Sequence, residues 1–233
     1  MVEGAVIVLQ ARMASKRLPG KAGLHIGGRS VLARCLGRLL AGGAAPVVLA
    51  TTTNPEDDAL DREAQTLGVK TIRGPVHDVL GRFVLASSFT RARYVVRATA
   101  DNPAVDIDAA GRVLRVLAEG GSDYVVEQGL PHGAAVEAVT ADALRAADRR
   151  ANSDEDREHV TTFVKRERGV FKVIDLEAPA SLRRPDLRLT IDTREDLQFM
   201  EAVLSALPTT SAEPDLSMII DAADRVASRM ACA

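Results

Sequence analysis

The stretch VIVLQARMASKRLPGKAGL, residues 6–24, runs from an apolar segment straight into a strongly basic one. Residues 5–9 are all apolar, which predicts a short buried β-strand. Four cationic side chains follow within ten residues: Arg12, Lys16, Arg17 and Lys21. Like charges at this density repel one another unless an anion lies among them. The stretch therefore predicts an anion-binding loop behind the first strand, where Pro19 stiffens the chain and Gly20 permits close backbone approach to a ligand.

The composition is that of an α/β protein with a local rather than a global charge feature. Hydrophobic residues make up 46% of the 233 residues, aromatic residues only 3%, and tryptophan is absent. A core of Val, Leu, Ile and Ala suits a parallel sheet covered by helices. The formal net charge of −2 gives no electrostatic reason to expect a nucleic-acid partner. Cys35 and Cys232 are too few for a disulfide framework, and no apolar run reaches membrane-spanning length, so we expect a cytoplasmic protein without membrane contact.

Short apolar segments alternate with helical patterns through the first half of the chain. Ser30 and Asn54 are suitable N-cap residues for the first two helices. This alternation predicts an α/β fold with a doubly wound (Rossmann-like), mostly parallel sheet and flanking helices. Such sheets bind ligands at the carboxyl ends of their strands, so the loops that follow should form one polar rim. The predicted strands are 5–9, 46–50, 70–72 and 94–98, and the helices between them are 30–40, 55–67 and 76–88.

The alternation weakens in the second half of the chain. There we predict a helix from 106 to 117, a strand at 123–126, helices at 141–150 and up to 165, a returning strand at 188–191, helices at 193–207 and 215–229, and a loop at 208–214. No internal repeat or low-complexity segment marks a further boundary. The sequence therefore predicts a single domain in three parts: 1–126, 127–192 and 193–233.

The basic loop does not fit the common phosphate-binding motifs. A P-loop would need glycine at position 15 and serine or threonine at position 22, where this chain has Ser15 and Ala22. No G-x-G-x-x-G follows the first strand, so a dinucleotide-binding fingerprint is also missing from the sequence. The loop reads QARMASKRLPGK and needs another explanation.

This loop resembles the opening motif Q-A-R-x-x-S-x-R-L-P-G-K of cytidylyltransferases that activate acidic sugars. These are the CMP-Kdo synthetases and CMP-sialic acid synthetases (acylneuraminate cytidylyltransferases), and the resemblance is strongest to the branch of spore coat polysaccharide biosynthesis cytidylyltransferases. It covers nearly the whole chain, in order. The further matching blocks are VLATTTNPEDD (48–58), RGPVHDVLGRF (73–83), VVRATADNPAVD (95–106), LPHGAAVEAV (130–139), DREHVT (156–161) and LRLTIDTREDL (187–197).

The resemblance implies a nucleotidyltransferase fold of the GT-A-like type, with residues 1–126 as the nucleotide-binding half. It also implies a Mg²⁺-dependent transfer of CMP from CTP to an acidic sugar (a nonulosonic or Kdo-like acid), with release of pyrophosphate. Catalytic roles are implied for Arg12, Lys21 and Asp101. Nucleotide contacts are implied for Ala11, Arg12, Arg17, Lys21, Thr51, Thr52, Thr53, Arg73 and Asp78. For Arg73, a structural ion pair with Asp78 is an equally good interpretation.

Two aspartates are the predicted metal ligands. Mg²⁺ prefers oxygen ligands from one or two carboxylates together with phosphates and water. Asp101 follows the strand at 94–98 and Asp192 follows the segment 188–191, and the resemblance implies that both hold the metal. Asp192 also suits the N-cap of the helix at 193–207, so the sequence leaves its role open.

The resemblance places acceptor binding and homodimer contacts in residues 127–192. The predicted acceptor-binding residues are His132, Glu137, Arg157, Glu158 and His159. A carboxylate buried in the apolar segment around Glu137 would need a partner such as Arg157, so an internal ion pair is the competing interpretation. Glu158 and His159 do not begin a zinc motif, because the position of the second histidine holds Phe163.

Three functions fit these observations. The first is a cytidylyltransferase that uses CTP and an acidic sugar. The second is a nucleotidyltransferase with another acceptor, such as a phosphonate or a phosphorylated alcohol, or with another base. The third is a nucleotide-binding scaffold without turnover, but such a protein is expected to lack part of the phosphate or metal set, and Arg12, Arg17, Lys21 and Asp101 are all present.

Overall fold

The structure, a computed structural model, describes residues 1–208 and 213–231. Within these residues, seven strands form one sheet in the order β5-β4-β1-β6-β8-β7-β9, and β2 and β3 form a small hairpin. The strands are β1 (Ala5–Gln10), β2 (His25–Ile26), β3 (Arg29–Ser30), β4 (Val47–Thr52), β5 (Lys70–Gly74), β6 (Tyr94–Thr99), β7 (Tyr124–Gln128), β8 (Glu137–Thr140) and β9 (Val173–Glu177).

The sheet is mostly parallel, which confirms the predicted fold class. β1 lies between β4 and β6 and is parallel to both, with Ile7 beside Val47 and Ala5 beside Tyr94. β5 is parallel to β4, and β9 is parallel to β7. Among the seven described strands of this sheet, only β8 runs against its neighbours, β6 and β7. Because β8 and β9 fall within residues 127–192, this part of the chain contributes strands to the central sheet.

Helices cover both faces of the sheet. They are α1 (Val31–Ala41), α2 (Asp58–Thr66), α3 (Val79–Thr90), α4 (Ala109–Ala118), α5 (Ala141–Arg150), α6 (Asp154–Glu158), α7 (Thr162–Arg166), α8 (Arg194–Ser205) and α9 (Leu216–Ala231). Val6 and Val8 pack into the apolar cluster that contains residues of α3, α5 and α7. Ile7 and Leu9 pack into the opposite cluster, with residues of α1, α2, α4, α8 and α9. Burial on both faces is the reason why β1 reads as an unbroken apolar run.

The predicted helix starts are partly right. Ser30 caps α1, since its side chain accepts a hydrogen bond from the Ala33 N–H at 2.9 Å. Asn54 instead precedes a 3₁₀ turn, Pro55–Asp57, without a side-chain capping bond, and α2 begins only at Asp58.

The strand predicted at 188–191 is wrong. Arg188 forms only an isolated bridge with His132, because the backbone N–H of Ile191 bonds instead to the Asp101 carbonyl at 2.8 Å. This irregular segment therefore connects the loops after β6 and β7. The short hairpin and β9 were not predicted from the sequence.

The predictions about the cysteines, the 208–214 loop and membrane contact have different outcomes. Cys35 is buried, and its burial raises the pKa of the thiol. Cys232 and residues 209–212 of the predicted 208–214 loop lie outside the described residues. No helix in the described part of the chain is long and apolar enough to cross a membrane.

Candidate active site

The basic loop behind β1 is fixed at its start and at its end. The Met13 N–H donates to the buried carboxylate of Asp57 at 2.7 Å, and the Gly20 N–H donates to the Met13 carbonyl at 2.9 Å. Gly20 has a φ of +72°, a left-handed conformation that glycine adopts without steric cost. The chain then enters the 3₁₀ turn Lys21–Gly23. This local geometry turns Lys21 back toward the carboxyl ends of the strands.

Lys21 lies between the two predicted metal ligands. Its Nζ donates to Asp101 Oδ2 at 2.9 Å, to Asp192 Oδ1 at 3.1 Å and to the Ile191 carbonyl at 3.0 Å. The ammonium group therefore has three oxygen acceptors from two distant parts of the chain. A site where oxygens gather around one positive charge is chemically suited to a cation.

Asp192 is not the helix cap. Thr193 caps α8, since its side chain accepts from the Asp196 N–H at 3.2 Å and Asp196 completes a capping box. The Asp192 carboxylate instead contacts Lys21, Arg17 at 2.7 Å and Arg188 at 2.7 Å. Burial by itself would raise the pKa of Asp192, but hydrogen bonds from Lys21 and Arg188 lower it. The carboxylate is therefore held ionised among cations.

The donor set fits a magnesium ion with few protein ligands. Among residues 1–208 and 213–231, no group of three or more His, Cys, Asp or Glu side chains could hold a metal ion. The pair Asp101 and Asp192 could, because Mg²⁺ usually takes one or two carboxylates and completes its shell with phosphates and water.

Two arginines of the basic loop also lie at this rim, in ion pairs of their own. Arg12 Nη2 donates to Glu158 Oε1 at 2.7 Å, with about a third of each side chain exposed. Arg17 is mostly exposed and contacts Asp192. Such partly exposed ion pairs contribute little to stability, typically about 0–1 kcal/mol. A phosphate could therefore replace the carboxylate partners of both arginines at small cost.

The predicted nucleotide contacts of the second loop differ in accessibility. Thr51 and Thr52 are buried, and their hydroxyls donate to Asp57, with an O···O distance of 3.0 Å for Thr51. These two hydroxyls are therefore already used inside the protein and hold the strand end to the first loop. Thr53 is exposed. Ala11 is buried, and its N–H donates to the Ala50 carbonyl at 3.1 Å.

The alternative pairing of Arg73 with Asp78 is wrong. Arg73 donates to Asp58 at 2.5 Å and to the carbonyls of Thr52 and Asn54, so it fixes the loop after β4. Asp78 caps α3 by accepting from the Gly81 N–H at 2.8 Å. It also pairs with Arg157. Asp78 is therefore a structural link between the loop after β5 and the region around α6.

Glu137 has a different partner from the one proposed from the sequence. Arg157 pairs with Asp78 and with Asp148 at 2.8 Å, so it is not available to Glu137. Instead, Glu137 Oε2 accepts from Arg97 at 2.9 Å, and its Oε1 accepts from Lys165 at 2.7 Å.

Two hydroxyls complete the shell of Glu137. Tyr124 donates to Oε1 at 2.9 Å and Thr161 donates to Oε2 at 2.7 Å. Burial opposes ionisation of this carboxyl, but Arg97 and Lys165 outweigh it and hold the pKa of Glu137 at about 2. With two donors on each oxygen, Glu137 has little remaining capacity to accept a ligand hydroxyl.

The two histidines predicted to bind the acceptor, His132 and His159, lie in different loops. His132 Nδ1 lies 2.8 Å from Arg188 Nη1. His159 is exposed and follows α6. Val160, between Glu158 and Thr161, has a φ of +55°, which is strained for a β-branched residue. This bend allows one short segment to contact both Arg12, through Glu158, and Glu137, through Thr161.

Sequence reasoning missed several side chains of this region. Arg188 contacts Asp192, Asp196 and His132, Asp57 fixes the first two loops, and Arg97 and Lys165 neutralise Glu137. Their signal in the sequence was weak, because each lies in an otherwise ordinary strand or helix pattern. Only the buried charge of Glu137 indicated that a cationic partner must exist.

Comparison with known proteins shows the family to which the chain belongs. The family model described as cytidylyltransferase matches residues 5–221. The chain belongs to the cytidylyltransferase family. This cytidylyltransferase is 32% identical, over 91% of its length and 90% of the relative, to the spore coat polysaccharide biosynthesis protein SpsF of Bacillus subtilis.

Solved structures give the same assignment of fold. A cytidylyltransferase from Leptospira borgpetersenii is 28% identical and superposes with a TM-score of 0.88, over 97% of this chain and 95% of the other. A CMP:2-keto-3-deoxy-manno-octonic acid synthetase, solved in complex with CTP, superposes with a TM-score of 0.68, covering 86% of this chain and 98% of the other. At 18% identity, this second likeness shows the fold alone.

Proposed function

We propose that this cytidylyltransferase transfers CMP from CTP to a hydroxyl of an acidic acceptor and releases pyrophosphate in a Mg²⁺-dependent reaction. The observation that carries the proposal is the position of Lys21 between Asp101 and Asp192, at 2.9 and 3.1 Å. A triphosphate needs both a cationic loop and a metal beside it, and this rim combines the two kinds of group. Binding of CTP by a CMP-sugar synthetase of the same fold adds support.

In this proposal the cations of the first loop bind the triphosphate. Arg12 and Arg17 present planar guanidinium groups that can donate two hydrogen bonds to one phosphate, whereas Lys21 is a compact point charge. Each charge-assisted bond is worth about 1.5–3 kcal/mol. Phosphate oxygens would replace the present carboxylate acceptors of these side chains, namely Glu158 for Arg12 and Asp192 for Arg17.

Asp101 and Asp192 would hold the metal at the same rim. A bound Mg²⁺ neutralises charge on the phosphates and orients them for in-line displacement at the α-phosphorus. For the cation to bind, Lys21 has to leave the carboxylate pair and move to the phosphates. Lys21 therefore remains near the reacting groups in both arrangements, and we propose it as catalytic together with Arg12 and Asp101.

The nucleotide base is proposed to bind between the first two loops. The carbonyls of Ala11 and Thr53 would contribute backbone contacts there, because both N–H groups already donate inside the protein. The buried hydroxyls of Thr51 and Thr52 fix the loop through Asp57. Arg73 shapes this loop through the carbonyls of Thr52 and Asn54.

The acceptor is proposed to bind beside β8. His132, Lys165 and the exposed His159 provide donors suited to an anionic acceptor. Glu137 would act by fixing Lys165 and Arg97, because its own oxygens already have four donors. A homodimer formed through residues 127–192 stays a prediction.

A turnover assay tests this proposal. Each of the four nucleoside triphosphates is mixed with the protein, Mg²⁺ and a panel of eight-carbon and nine-carbon acidic sugars and phosphonates, and pyrophosphate release is followed. We expect release with CTP and at least one acidic sugar. D101N is the test variant, which should lose this release, and D224N is its matched control, because Asp224 pairs with Arg184 at the protein surface.

The outcomes separate the alternatives. Release only with a phosphonate changes the acceptor class, and preference for GTP or UTP contradicts the base assignment. Tight CTP binding without release under any acceptor favours a nucleotide-binding scaffold.

A further inference from the structure

Arg188 makes more charged contacts at the candidate active site than the sequence indicated. Its Nη2 donates to Asp192 Oδ2 at 2.7 Å, its Nε donates to Asp196 Oδ1 at 3.0 Å, and its Nη1 lies 2.8 Å from His132 Nδ1. All three nitrogens of the guanidinium group therefore make a polar contact. A side chain with this many directional contacts has little rotational freedom, although it is 42% exposed.

Different side chains contact the two carboxylate oxygens of Asp192. Lys21, at 3.1 Å, and Arg17, at 2.7 Å, both contact Oδ1. Arg188 contacts Oδ2. Oδ1 is thus the oxygen that faces the cation position shared with Asp101, and Arg188 holds the carboxylate by its other oxygen. This arrangement fixes the rotation of the carboxylate about its Cβ–Cγ bond.

The Asp196 carboxylate, which contacts Arg188, is itself held by backbone hydrogen bonds. Asp196 Oδ2 accepts from the backbone N–H groups of Asp192 at 2.8 Å and Thr193 at 2.9 Å, directly before α8. Asp196 Oδ1 accepts from Arg188 Nε at 3.0 Å, so one carboxylate holds both the arginine and the backbone before α8. Asp196 therefore keeps Arg188 in place.

His132 is fixed by the same side chain. Arginine has no hydrogen-bond acceptor, so Nδ1 of His132 must be the acceptor in this contact. The neutral imidazole then carries its proton on Nε2 and can donate from there. Arg188 thus connects a predicted metal ligand with a predicted acceptor-binding residue.

We propose that Arg188 is a positioning residue that orients Asp192 Oδ1 toward the metal. This inference rests on the proposed function, because the metal it serves is the one that accompanies CTP. Side chains that orient metal ligands commonly change metal affinity by about 10–100-fold when they are removed. Arg188 itself does not contact the metal or the phosphates in this proposal.

Calorimetric titration with CTP, in excess Mg²⁺ and again in excess EDTA, tests the inference without turnover. The variants are R188M, which removes all three contacts, and R188K, which keeps the charge but loses the planar fork. R184M is the matched control, because Arg184 lies four residues away and pairs with Asp186 and Asp224 at the surface. Thermal unfolding of each variant reports whether the fold is retained.

We expect R188M to bind CTP at least about tenfold more weakly in Mg²⁺ and within about threefold of the parent protein in EDTA. R188K should show a smaller loss with the same metal dependence, and R184M should bind like the parent protein. Equal losses in Mg²⁺ and EDTA, or no loss in either, would overturn the positioning role. If the parent protein binds no CTP in either buffer, the proposed function fails first.

Discussion

Asp101 and Asp192 accept hydrogen bonds from the same ammonium group, since Lys21 Nζ lies 2.9 Å from Asp101 Oδ2 and 3.1 Å from Asp192 Oδ1. The two carboxylates come from the loop after β6 and from the irregular segment before α8. Their closeness depends on backbone pairing, because the Ile191 N–H donates to the Asp101 carbonyl at 2.8 Å. The loop behind β1 adds the positive charge that faces both carboxylates.

Removing one carboxylate should stop the chemistry and leave the fold intact. For D101N we expect turnover to fall at least about a hundredfold, the scale of losing one electrostatic contact to the transition state. The Asp101 side chain is about 30% exposed, so its neutral isostere should be tolerated in the fold. Pyrophosphate release and thermal unfolding measure the two effects. D224N should match the parent protein in both, and near-normal turnover of D101N would exclude it as a metal ligand.

Replacing Lys21 should weaken CTP binding. In K21M the triphosphate loses one charge-assisted donor, worth about 1.5–3 kcal/mol, and meets two carboxylates with no neutralising ammonium. We expect at least about tenfold weaker binding in calorimetric titration with EDTA, where no metal can compensate. K172M removes an exposed lysine elsewhere and serves as the control. Unchanged affinity of K21M would show that the nucleotide binds away from this loop.

Asp57 should affect nucleotide binding indirectly, because it holds the two loops that form the proposed nucleotide site. Its buried carboxylate accepts from the Met13 N–H, from the Thr52 N–H and from two threonine hydroxyls. In D57N the amide nitrogen cannot accept, so buried donors lose their partners at a cost of about 1–3 kcal/mol. We expect a lower free energy of unfolding in urea and a higher KM for CTP. D61N, which changes a carboxylate of α2 that accepts from Gln65, should alter neither quantity.

The stability of the protein should depend on the ionisation of Glu137. The pKa of this carboxyl falls from 4.5 to about 2 in the folded state, because Arg97 and Lys165 outweigh the effect of burial. Because the pKa of Glu137 is lower in the folded state than in the unfolded state, its ionisation stabilises the fold at pH values above about 4.5. This stabilisation is lost as the pH falls from about 4.5 to about 2. By the linkage relation it amounts to about 3 kcal/mol at neutral pH.

Urea unfolding of E137Q and the parent protein at several pH values checks this dependence. The difference in the free energy of unfolding should be largest near pH 7 and should shrink between pH 4.5 and 2. E177Q is the control, because Glu177 pairs with Arg183 and is mostly exposed. A difference between E137Q and the parent protein that does not change with pH would contradict the assigned ionisation.

The sequence predicted the parts of this site that depend on local pattern. The apolar runs of β1 and β6 predicted the strand ends at which the basic loop and Asp101 lie. Anion binding by the loop stays a prediction. The partners could not be predicted, since contacts such as Arg12 with Glu158 depend on how distant loops pack. The strand at 188–191 was wrongly predicted for the same reason, because the conformation of this segment also depends on how distant loops pack. Its apolar alternation is typical of a strand, but tertiary contacts with the loops around Asp101 and His132 determine its conformation.

A crystal structure of the protein with CTP and Mg²⁺ tests the central claim most directly. We expect the triphosphate oxygens within hydrogen-bond distance of Arg12, Arg17 and Lys21, with Lys21 moved off the carboxylates and metal density between Asp101 and Asp192. CTP bound elsewhere, with Lys21 still hydrogen-bonded to both aspartates and Arg12 still paired with Glu158, would contradict the account.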